Sequence, residues 1–442
     1  MSTAKRFDLT QGARQAMLDA GFLPEIPAGA RKEAASLVAA SALGAGIRDL
    51  RSLPWSSINN DESRDLDQIE MAETLPDHHC RVRVGIADVD ALVHRGSALD
   101  AYAAHNTCTV YTGAAIFPML PESLSTDRTS LGEGADRLAL VVEMDVDPQG
   151  NVASAVVYQA AVRNHAKLAY DGVGAWLEGT SPAPPKVAAS RVLQEQLRLQ
   201  DRAARAMKKV RHERGALDLE TIEARAVVKD GAVLGIELTK KSPARALIED
   251  FMIAANGAIA RFLESRGASS IRRVVKAPER WQRIVALARQ VGEELPAEPS
   301  SRALSAFLDR RKLAAPDTFA DLVTQRLVKA ALARAPAPYG NDDLAAIAAH
   351  CTQKENDARK VERTTRKQAA AVFLGDRIGQ EFDAIVTGAA EKGTFARLLD
   401  PPAEGRIVEG EAGLDVGDRV RVRLVATEPG RGFIDFVRAR GA

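Results

Sequence analysis

Carboxylate side chains are crowded into one short segment of the sequence. The ten residues Asp61 to Glu70 include five carboxylates and a single base, Arg64, and like charges this close repel one another unless a cation lies among them. Asp65 and Asp67 are two residues apart, so both side chains point to the same side of an extended chain. Two carboxylates on one side are suitable ligands for a magnesium ion. For an Asp-x-Asp pair considered alone, a solvated acidic loop is the alternative.

Other possible sites for chemistry are weaker. His78, His79 and Cys80 are adjacent, but no second Cys/His pair follows at the spacing of zinc ligands, so we interpret them as a surface turn. Asp88 and Asp90 form a second Asp-x-Asp pair, which we interpret as structural. The sequence contains no Walker loop, dinucleotide fingerprint or His-Glu-x-x-His element.

Positive charge is concentrated in two segments with helical periodicity. Arg202–Arg214 has six Lys/Arg against one acid, and Lys354–Lys367 has six against three. In the last part of the chain, arginines alternate along one strand among several aromatic residues: Arg419, Arg421, Arg423, Phe382, Phe395, Phe433 and Phe436. This mixture suits the phosphates and bases of a single-stranded nucleic acid. The alternatives are exposed charged helix faces and, for at least two of the phenylalanines, a place in a hydrophobic core.

These residues must be positioned by an α+β fold. Residues 1–45 are Ala-rich and predict a helical lead-in broken by prolines and a glycine. Residues 46–374 contain β-branched runs between turns and then long helical stretches, which predicts a mixed sheet with flanking helices. Residues 375–442 return to short, evenly spaced strands, typical of a small all-β barrel of the OB type. We place the boundary near Phe373 to Gly379.

Overall composition narrows the class of protein. The 442 residues carry 60 Lys+Arg and 59 Asp+Glu, a net charge of +1, so bulk charge does not select a partner. No apolar run is long enough to predict a membrane span, and the start of the chain does not look like a secretory signal. Three widely separated cysteines argue against a disulfide framework. We therefore expect a cytoplasmic protein without membrane contact, and a monomer.

The acidic segment, SSINNDESRDLDQIE at Ser56–Glu70, resembles the signature of the ribonuclease II/ribonuclease R (RNB) family. Four more blocks follow in that family's order: PMLPESLS within Asn106–Leu131, AKLAYDGV within Ala166–Gly179, RHERGALDL at Arg211–Leu219 and ALIEDFMIAAN at Ala246–Asn256. The C-terminal barrel resembles the OB-type RNA-binding domain named after ribosomal protein S-one. Because five blocks agree in order, the resemblance is specific.

This resemblance implies processive 3′-to-5′ hydrolysis of single-stranded RNA to nucleoside 5′-monophosphates, with Mg²⁺ or, in its place, Mn²⁺. The positions that hold metal and the scissile phosphate in the family correspond to Asn59, Asp65, Asp67 and Gln68. The positions that contact RNA correspond to Tyr111, Tyr170, Leu219, Glu249 and Glu362. Aromatic side chains suit an enzyme that must hold every base in turn, because stacking is tolerant of sequence and contributes roughly 1–3 kcal/mol per base.

The chain also departs from the family pattern. Asn59 stands where the family has its first aspartate, and Gln68 where many members have the fourth. An amide oxygen can bind magnesium but brings no negative charge. Because one subgroup of the family has a motif that ends in DLDQ, Asn59 is the more important of the two changes. Asp61 is a candidate substitute for the missing charge. Leu219 stands where relatives often have a base-stacking phenylalanine.

A further departure lies at Ala314–Leu332, which reaches the DLVTQRL end of a family block without the preceding Pro-x-Arg-Arg, whose arginines hold phosphate. The nearest bases before it are Arg310, Arg311 and Lys312. Losing such an arginine clamp removes electrostatic assistance to phosphoryl transfer. The alternative function is therefore an RNA-binding protein of this fold with impaired catalysis.

Overall fold

The computed structural model describes residues 7–38, 44, 46–214, 224–229, 232–238, 242–272, 281–282, 285, 298, 318–390 and 393–439. Two short helices come first, α1 (Leu9–Asp19) and α2 (Ala28–Ser36). The carboxylate of Asp8 accepts hydrogen bonds from the backbone N–H groups of Thr10 and Gln11 and so begins α1.

Seven strands form one mixed sheet in the described part of the chain. They are β1 (Arg48–Asp49), β2 (Ser56–Asn59), β3 (Gln68–Thr74), β4 (Cys80–Ala87), β7 (Asp136–Val146), β8 (Val152–Arg163) and β9 (Ala166–Ala169). Their order across the sheet is β1-β8-β7-β4-β3-β2-β9. The two outer pairs, β1 with β8 and β2 with β9, are parallel, and the inner pairs are antiparallel.

Between β4 and the barrel, the described residues also form seven helices and two hairpins. The helices are α3 (Ala98–Asn106), α4 (Tyr170–Leu177), α5 (Pro185–Ala188), α6 (Arg191–Glu213), α7 (Pro243–Ser265), α8 (Phe319–Ala333) and α9 (Asn341–Leu374). The hairpins are β5 (Val110–Tyr111) with β6 (Ile116–Phe117), and β10 (Ala224–Lys229) with β11 (Ala232–Leu238). Ser190 and Ser242 accept backbone hydrogen bonds at the starts of α6 and α7, and Thr318 with Asp321 forms a capping box at the start of α8.

The sheet buries both of its faces because its central strands are apolar on both sides. Val82, Val84 and Val142 face the main core, which also contains apolar residues of α6, α7 and α8. Ile69 and Met71 face the opposite side, in a smaller cluster around Trp55. The ends of β2, β3 and β9 are therefore held on a rigid platform.

The last strands close into a barrel with the order β12-β13-β14-β16-β15. They are β12 (Glu381–Ala390), β13 (Gly393–Leu398), β14 (Glu404–Glu409), β15 (Arg419–Glu428) and β16 (Phe433–Arg438). Along the first half of β15, exposed arginines alternate with buried Val420, Val422 and Leu424. This alternation is the period of a half-buried strand.

Helix α9 joins the two parts of the described chain. Ala358 and Val361, near its middle, pack with Met17 of α1 and Val110 of β5. Farther along, Ala370, Ala371 and Leu374 belong to the hydrophobic core of the barrel. One helix therefore contributes to both packing units.

The predicted α+β fold, a mixed sheet with flanking helices followed by an all-β barrel, is confirmed. Within the described residues, no helix is long and apolar enough to span a bilayer.

Candidate active site

The acidic segment connects two neighbouring strands of the sheet. β2 ends at Asn59 and β3 begins at Gln68, so residues 60–67 form a connection at one end of the sheet. The backbone oxygen of Asp67 accepts the Ala87 N–H at 2.9 Å, which holds the end of the connection to β4. On the other side Asn59 is paired with Ala169, the last residue of β9. Asp65 and Asp67 are thereby presented at the ends of three adjacent strands.

Tyr111 lies between Asp65 and Glu362, which come from two other parts of the chain. The Tyr111 hydroxyl donates to Asp65 Oδ2 at 3.2 Å, and the Tyr111 backbone N–H lies 3.5 Å from Glu362 Oε1. Tyr111 is 45% exposed, so its ring is accessible to a ligand. The structure thus brings together three of the residues selected from the sequence, Asp65, Tyr111 and Glu362.

Two amide side chains, Asn59 and Gln68, stand at the strand ends on either side of the acidic connection. The nitrogen of the Gln68 amide is turned toward Asp67 and donates to both carboxylate oxygens, at 3.0 Å to Oδ2. Asn59 is buried, and its Nδ2 has no hydrogen-bond partner. These residues supply only oxygen ligands, which fits a hard divalent cation. Among the described residues, no group of three His, Cys, Asp or Glu side chains is placed to hold a metal.

Arg245, at the start of α7, was not selected from the sequence. Its guanidinium lies 4.5 Å from the centre of the Tyr170 ring and donates to Asn60 Oδ1 at 2.7 Å. Burial raises the pKa of Tyr170, the charges of Glu70 and Asp67 raise it further, and Arg245 opposes them. Glu249 follows one turn later on α7. No sequence pattern marked Arg245, because its partners come from two other elements.

Glu70 differs from the other carboxylates of the acidic segment. It is fully buried in β3, and neither of its carboxylate oxygens has a hydrogen-bond partner. Burial raises its pKa well above the ordinary value, so its proton is retained more strongly than on an exposed glutamate. Its position between Ile69 and Met71 in a strand was the available signal that it belongs to the sheet.

The second Asp-x-Asp pair is bound to α8. Arg326 donates to Asp90 Oδ1 and Asp100 Oδ1, each at 2.8 Å. Lys329 forms ion pairs with Asp88 at 2.8 Å and with Asp90 at 3.0 Å. The arginine of the DLVTQRL segment is therefore buried in a structural network, which agrees with our interpretation of Asp88 and Asp90. Leu219, Arg310, Arg311 and Lys312 lie outside the described residues.

The second basic segment, Lys354–Lys367, contains both exposed and buried cations. Along α9, Arg363 and Arg366 are exposed, but Lys354 is buried and donates to the backbone oxygen of Gly21 near the end of α1. Lys354 is thus an exception to the expected exposed face. A cation at the C-terminal end of a helix is favourable because the helix dipole is negative there.

The barrel aromatics also divide into two kinds. Phe436 is fully buried and Phe382 packs partly against the barrel core, whereas Phe433 is 48% exposed. The Arg431 guanidinium lies 4.3 Å from the centre of the Phe433 ring. Gln368 of α9 donates to the Gly430 oxygen at 3.1 Å, so the turn that precedes Phe433 is held against α9.

Comparisons with known proteins agree with this architecture. The RNB domain family model matches residues 47–352, and the RNase II-type exonuclease C-terminal S1 domain matches residues 380–439. Ribonuclease R of Escherichia coli (strain K12) is 26% identical over 468 residues, which cover 89% of this chain and 57% of that protein. The chain therefore spans little more than half the length of that relative. Since the alignment is longer than the 442-residue chain, the relative has residues without a counterpart here.

Two solved structures show the same fold. Mycoplasma genitalium RNase R in complex with ribose methylated single-stranded RNA has a TM-score of 0.85 at 20% identity, covering 98% of this chain and 78% of that one. Yeast Ssd1, described as a pseudonuclease, has a TM-score of 0.66 at 14% identity, covering 90% of this chain and 55% of that one. Because the RNB domain model matches more than half of the chain and the S1 domain model matches the residues after it, the chain belongs to the RNB family.

Proposed function

We propose that this protein is a 3′-to-5′ exoribonuclease that degrades single-stranded RNA processively to nucleoside 5′-monophosphates. The observation that carries the proposal is the position of Tyr111, whose hydroxyl donates to Asp65 and whose backbone N–H faces Glu362. An accessible aromatic ring beside a carboxylate that can hold metal is the combination needed to hold a terminal nucleotide next to the bond that is cut.

Asp65 and Asp67, with the amide oxygens of Asn59 and Gln68, would hold Mg²⁺ or Mn²⁺. Such an ion supplies stabilisation of negative charge on the phosphate oxygens and makes a bound water more acidic. The residues of the chain do the positioning: Tyr111 orients Asp65, and the connection to Ala87 orients Asp67. Arg245 adds a positive charge beside the acidic segment, where phosphates would approach.

RNA would be bound along α9 and the barrel. The exposed ring of Phe433, with Arg431 on its face, gives a stacking surface on the barrel. The turn before it contacts Gln368, six residues beyond Glu362, which is about 9 Å along a helix. Arg363 and Arg366 are exposed between these points and suit successive phosphates. For the same proposal, Tyr170 and Glu249 would form the wall of the site beside Arg245.

The test is incubation of the pure protein with a 3′-extended single-stranded RNA and Mg²⁺, with Asp67→Asn as the matched control. We expect a ladder ending in mononucleotides for the wild-type protein and none for Asp67→Asn, with RNA retention similar in both. A DNA strand of the same sequence should be a poor substrate if contacts to the 2′-hydroxyl select RNA.

A second function, RNA binding with impaired catalysis, is favoured by one observation. Asn59 stands at a metal position without a charge, and its Nδ2 is buried without a partner. Tight retention of RNA by the wild-type protein without any shortening, at Mg²⁺ and Mn²⁺ concentrations in the millimolar range, would exclude the exoribonuclease and support this second function.

A further inference from the structure

One buried hydroxyl is bonded to the peptide groups on both sides of Asp65. Ser130 is 3% exposed. Its Oγ accepts the Leu66 N–H at 3.0 Å and donates to the Arg64 carbonyl at 2.8 Å. A serine hydroxyl has a single donor, so that donor and one acceptor position are both used by the acidic segment.

These two bonds limit the rotation of Asp65. The peptide groups are planar, and the only soft rotations between them are the φ and ψ angles of Asp65 itself. Holding both planes therefore fixes the direction in which the Asp65 side chain leaves the backbone. The Leu131 N–H adds a third bond, to the Leu66 oxygen at 2.7 Å. The Tyr111 hydroxyl then contacts a carboxylate whose backbone is already held.

Ser130 is itself held by its surroundings. The preceding residues Leu124–Arg128 form a π-helical turn, in which the Thr129 N–H donates to the Leu124 oxygen at 3.0 Å. The Arg137 guanidinium donates to the backbone oxygens of Ser130, at 3.1 Å, and of Asp127, at 2.9 Å. Single π-helical turns occur frequently at functional sites.

The neighbouring residue is fixed to the sheet. Asn164 is buried, and its Nδ2 donates to the Leu131 oxygen and to the Ser57 Oγ, each at 2.9 Å. Ser57 lies in β2, the strand that leads into the acidic segment. Through Ser130, Leu131 and Asn164, the backbone of Asp65 is thus linked to the same sheet that carries Asn59 and Gln68.

We propose that Ser130 is a positioning residue for the metal-binding carboxylates: its hydroxyl holds the backbone of Asp65 in the orientation in which Asp65 and Asp67 act on one divalent cation. The proposal rests on the proposed function for the identity of the ligand. Ser130 does not touch the cation or the RNA, and it acts only through Asp65. Loss of a group that orients a metal ligand typically lowers metal affinity or activity by about 10- to 100-fold.

The experiment compares the full-length wild-type protein, Ser130→Ala and Thr129→Val. Thr129 supplies a matched control, because its hydroxyl is also buried in the π-helical turn but donates to the Leu124 oxygen and not to the acidic segment. Binding of Mg²⁺ and Mn²⁺ is measured by calorimetry, and amide hydrogen exchange is followed in the peptide that contains residues 60–70. RNA shortening gives kcat and KM.

For Ser130→Ala we expect about tenfold weaker cation binding, faster exchange of the Leu66 amide and about tenfold lower kcat, with KM for RNA changed less than about twofold. Thr129→Val should behave as wild type in all four measurements. If Ser130→Ala is unfolded at the assay temperature, Ser130→Cys replaces it, since a thiol keeps a similar shape but bonds weakly.

Failure of this inference is distinct from failure of the proposed function. Wild-type cation affinity and kcat in a folded Ser130→Ala variant, or equal losses in Thr129→Val, would overturn the role of Ser130. A wild-type protein that binds Mn²⁺ but does not shorten RNA would refute the exoribonuclease, and the role of Ser130 would then be decided by cation affinity and amide exchange alone.

Discussion

Replacing Arg326 with methionine should lower the free energy of unfolding by about 3–5 kcal/mol, the usual cost of removing one partner from a buried ion pair. The Arg326 side chain is 4% exposed and pairs with the Asp100 side chain, which is 11% exposed. It also donates to the Tyr339 hydroxyl at 2.7 Å and to the Val93 oxygen at 2.8 Å. Asp90 would keep Lys329 as a partner. The Asp100 carboxylate would lose its cation, so most of the cost arises there.

The measurement is urea unfolding followed by circular dichroism. Arg359→Met is the control: Arg359 forms an exposed pair with Glu355 on α9, at 3.0 Å, and such pairs contribute about 0.5 kcal/mol or less. Adding Asp100→Asn to Arg326→Met should recover part of the loss, because the uncompensated charge is removed.

This experiment decides what the arginine of the DLVTQRL segment does. A structural role requires a large loss of stability with an unchanged salt dependence of RNA binding. A loss below about 1 kcal/mol, together with a smaller slope of log K against log salt, would instead identify Arg326 as a phosphate ligand and refute the reasoning from burial.

Three further predictions concern single positions. Asn59→Asp should strengthen Mg²⁺ binding about tenfold in calorimetry, because a third charged ligand joins Asp65 and Asp67. An unchanged Mg²⁺ affinity would mean that the side chain of residue 59 does not face the ion. Phe433→Ala should weaken RNA binding in a filter assay by about 5- to 100-fold, because the stacking of one base is lost. The slope of log K against log salt should stay unchanged, since no cationic side chain is removed, and a reduced slope would contradict this prediction. At pH 8 an alkylating reagent should label Cys351 of the native protein before the other two cysteines. Burial raises the pKa of Cys80 and Cys108 to about 11, and the thiolate is the reactive form. Labelling of Cys80 or Cys108 in the native protein, detected by mass spectrometry, would contradict the burial of these two side chains.

Periodicity was sufficient to predict the fold class and the kinds of element. The alternating arginines of β15 and the apolar runs of the central sheet are local patterns that directly reflect burial. The division into residues 1–45, 46–374 and 375–442 stays a prediction, although α9 ends at Leu374 and β12 begins at Glu381.

The site was less accessible to sequence reasoning because its contacts are not local. Asp65 and Tyr111 are 46 positions apart, and Tyr111 and Glu362 are 251 apart, so only a resemblance in motif order could associate them. Ser130 bonds to backbone groups of the acidic segment, and Arg245 contacts an aromatic ring and the Asn60 side chain. Contacts of these kinds leave no pattern in a single sequence. Lys354 was counted in a basic run, although its burial depends on where α1 ends.

The length of α9 has a mechanical consequence. Glu362 lies beside Tyr111, whereas Leu374, twelve residues later, lies in the barrel core, a separation of about 18 Å along the helix axis. Because an α-helix turns about 100° per residue, inserting one residue between them would swing the barrel around the axis by that angle. Phe433 on the barrel and Asp65 at the sheet would then no longer stand in their present relation, and one RNA strand could not contact both as proposed. The segment between Glu362 and Leu374 should therefore tolerate substitutions at its exposed positions. An insertion there should be tolerated only if the added residues make close to a whole number of helical turns.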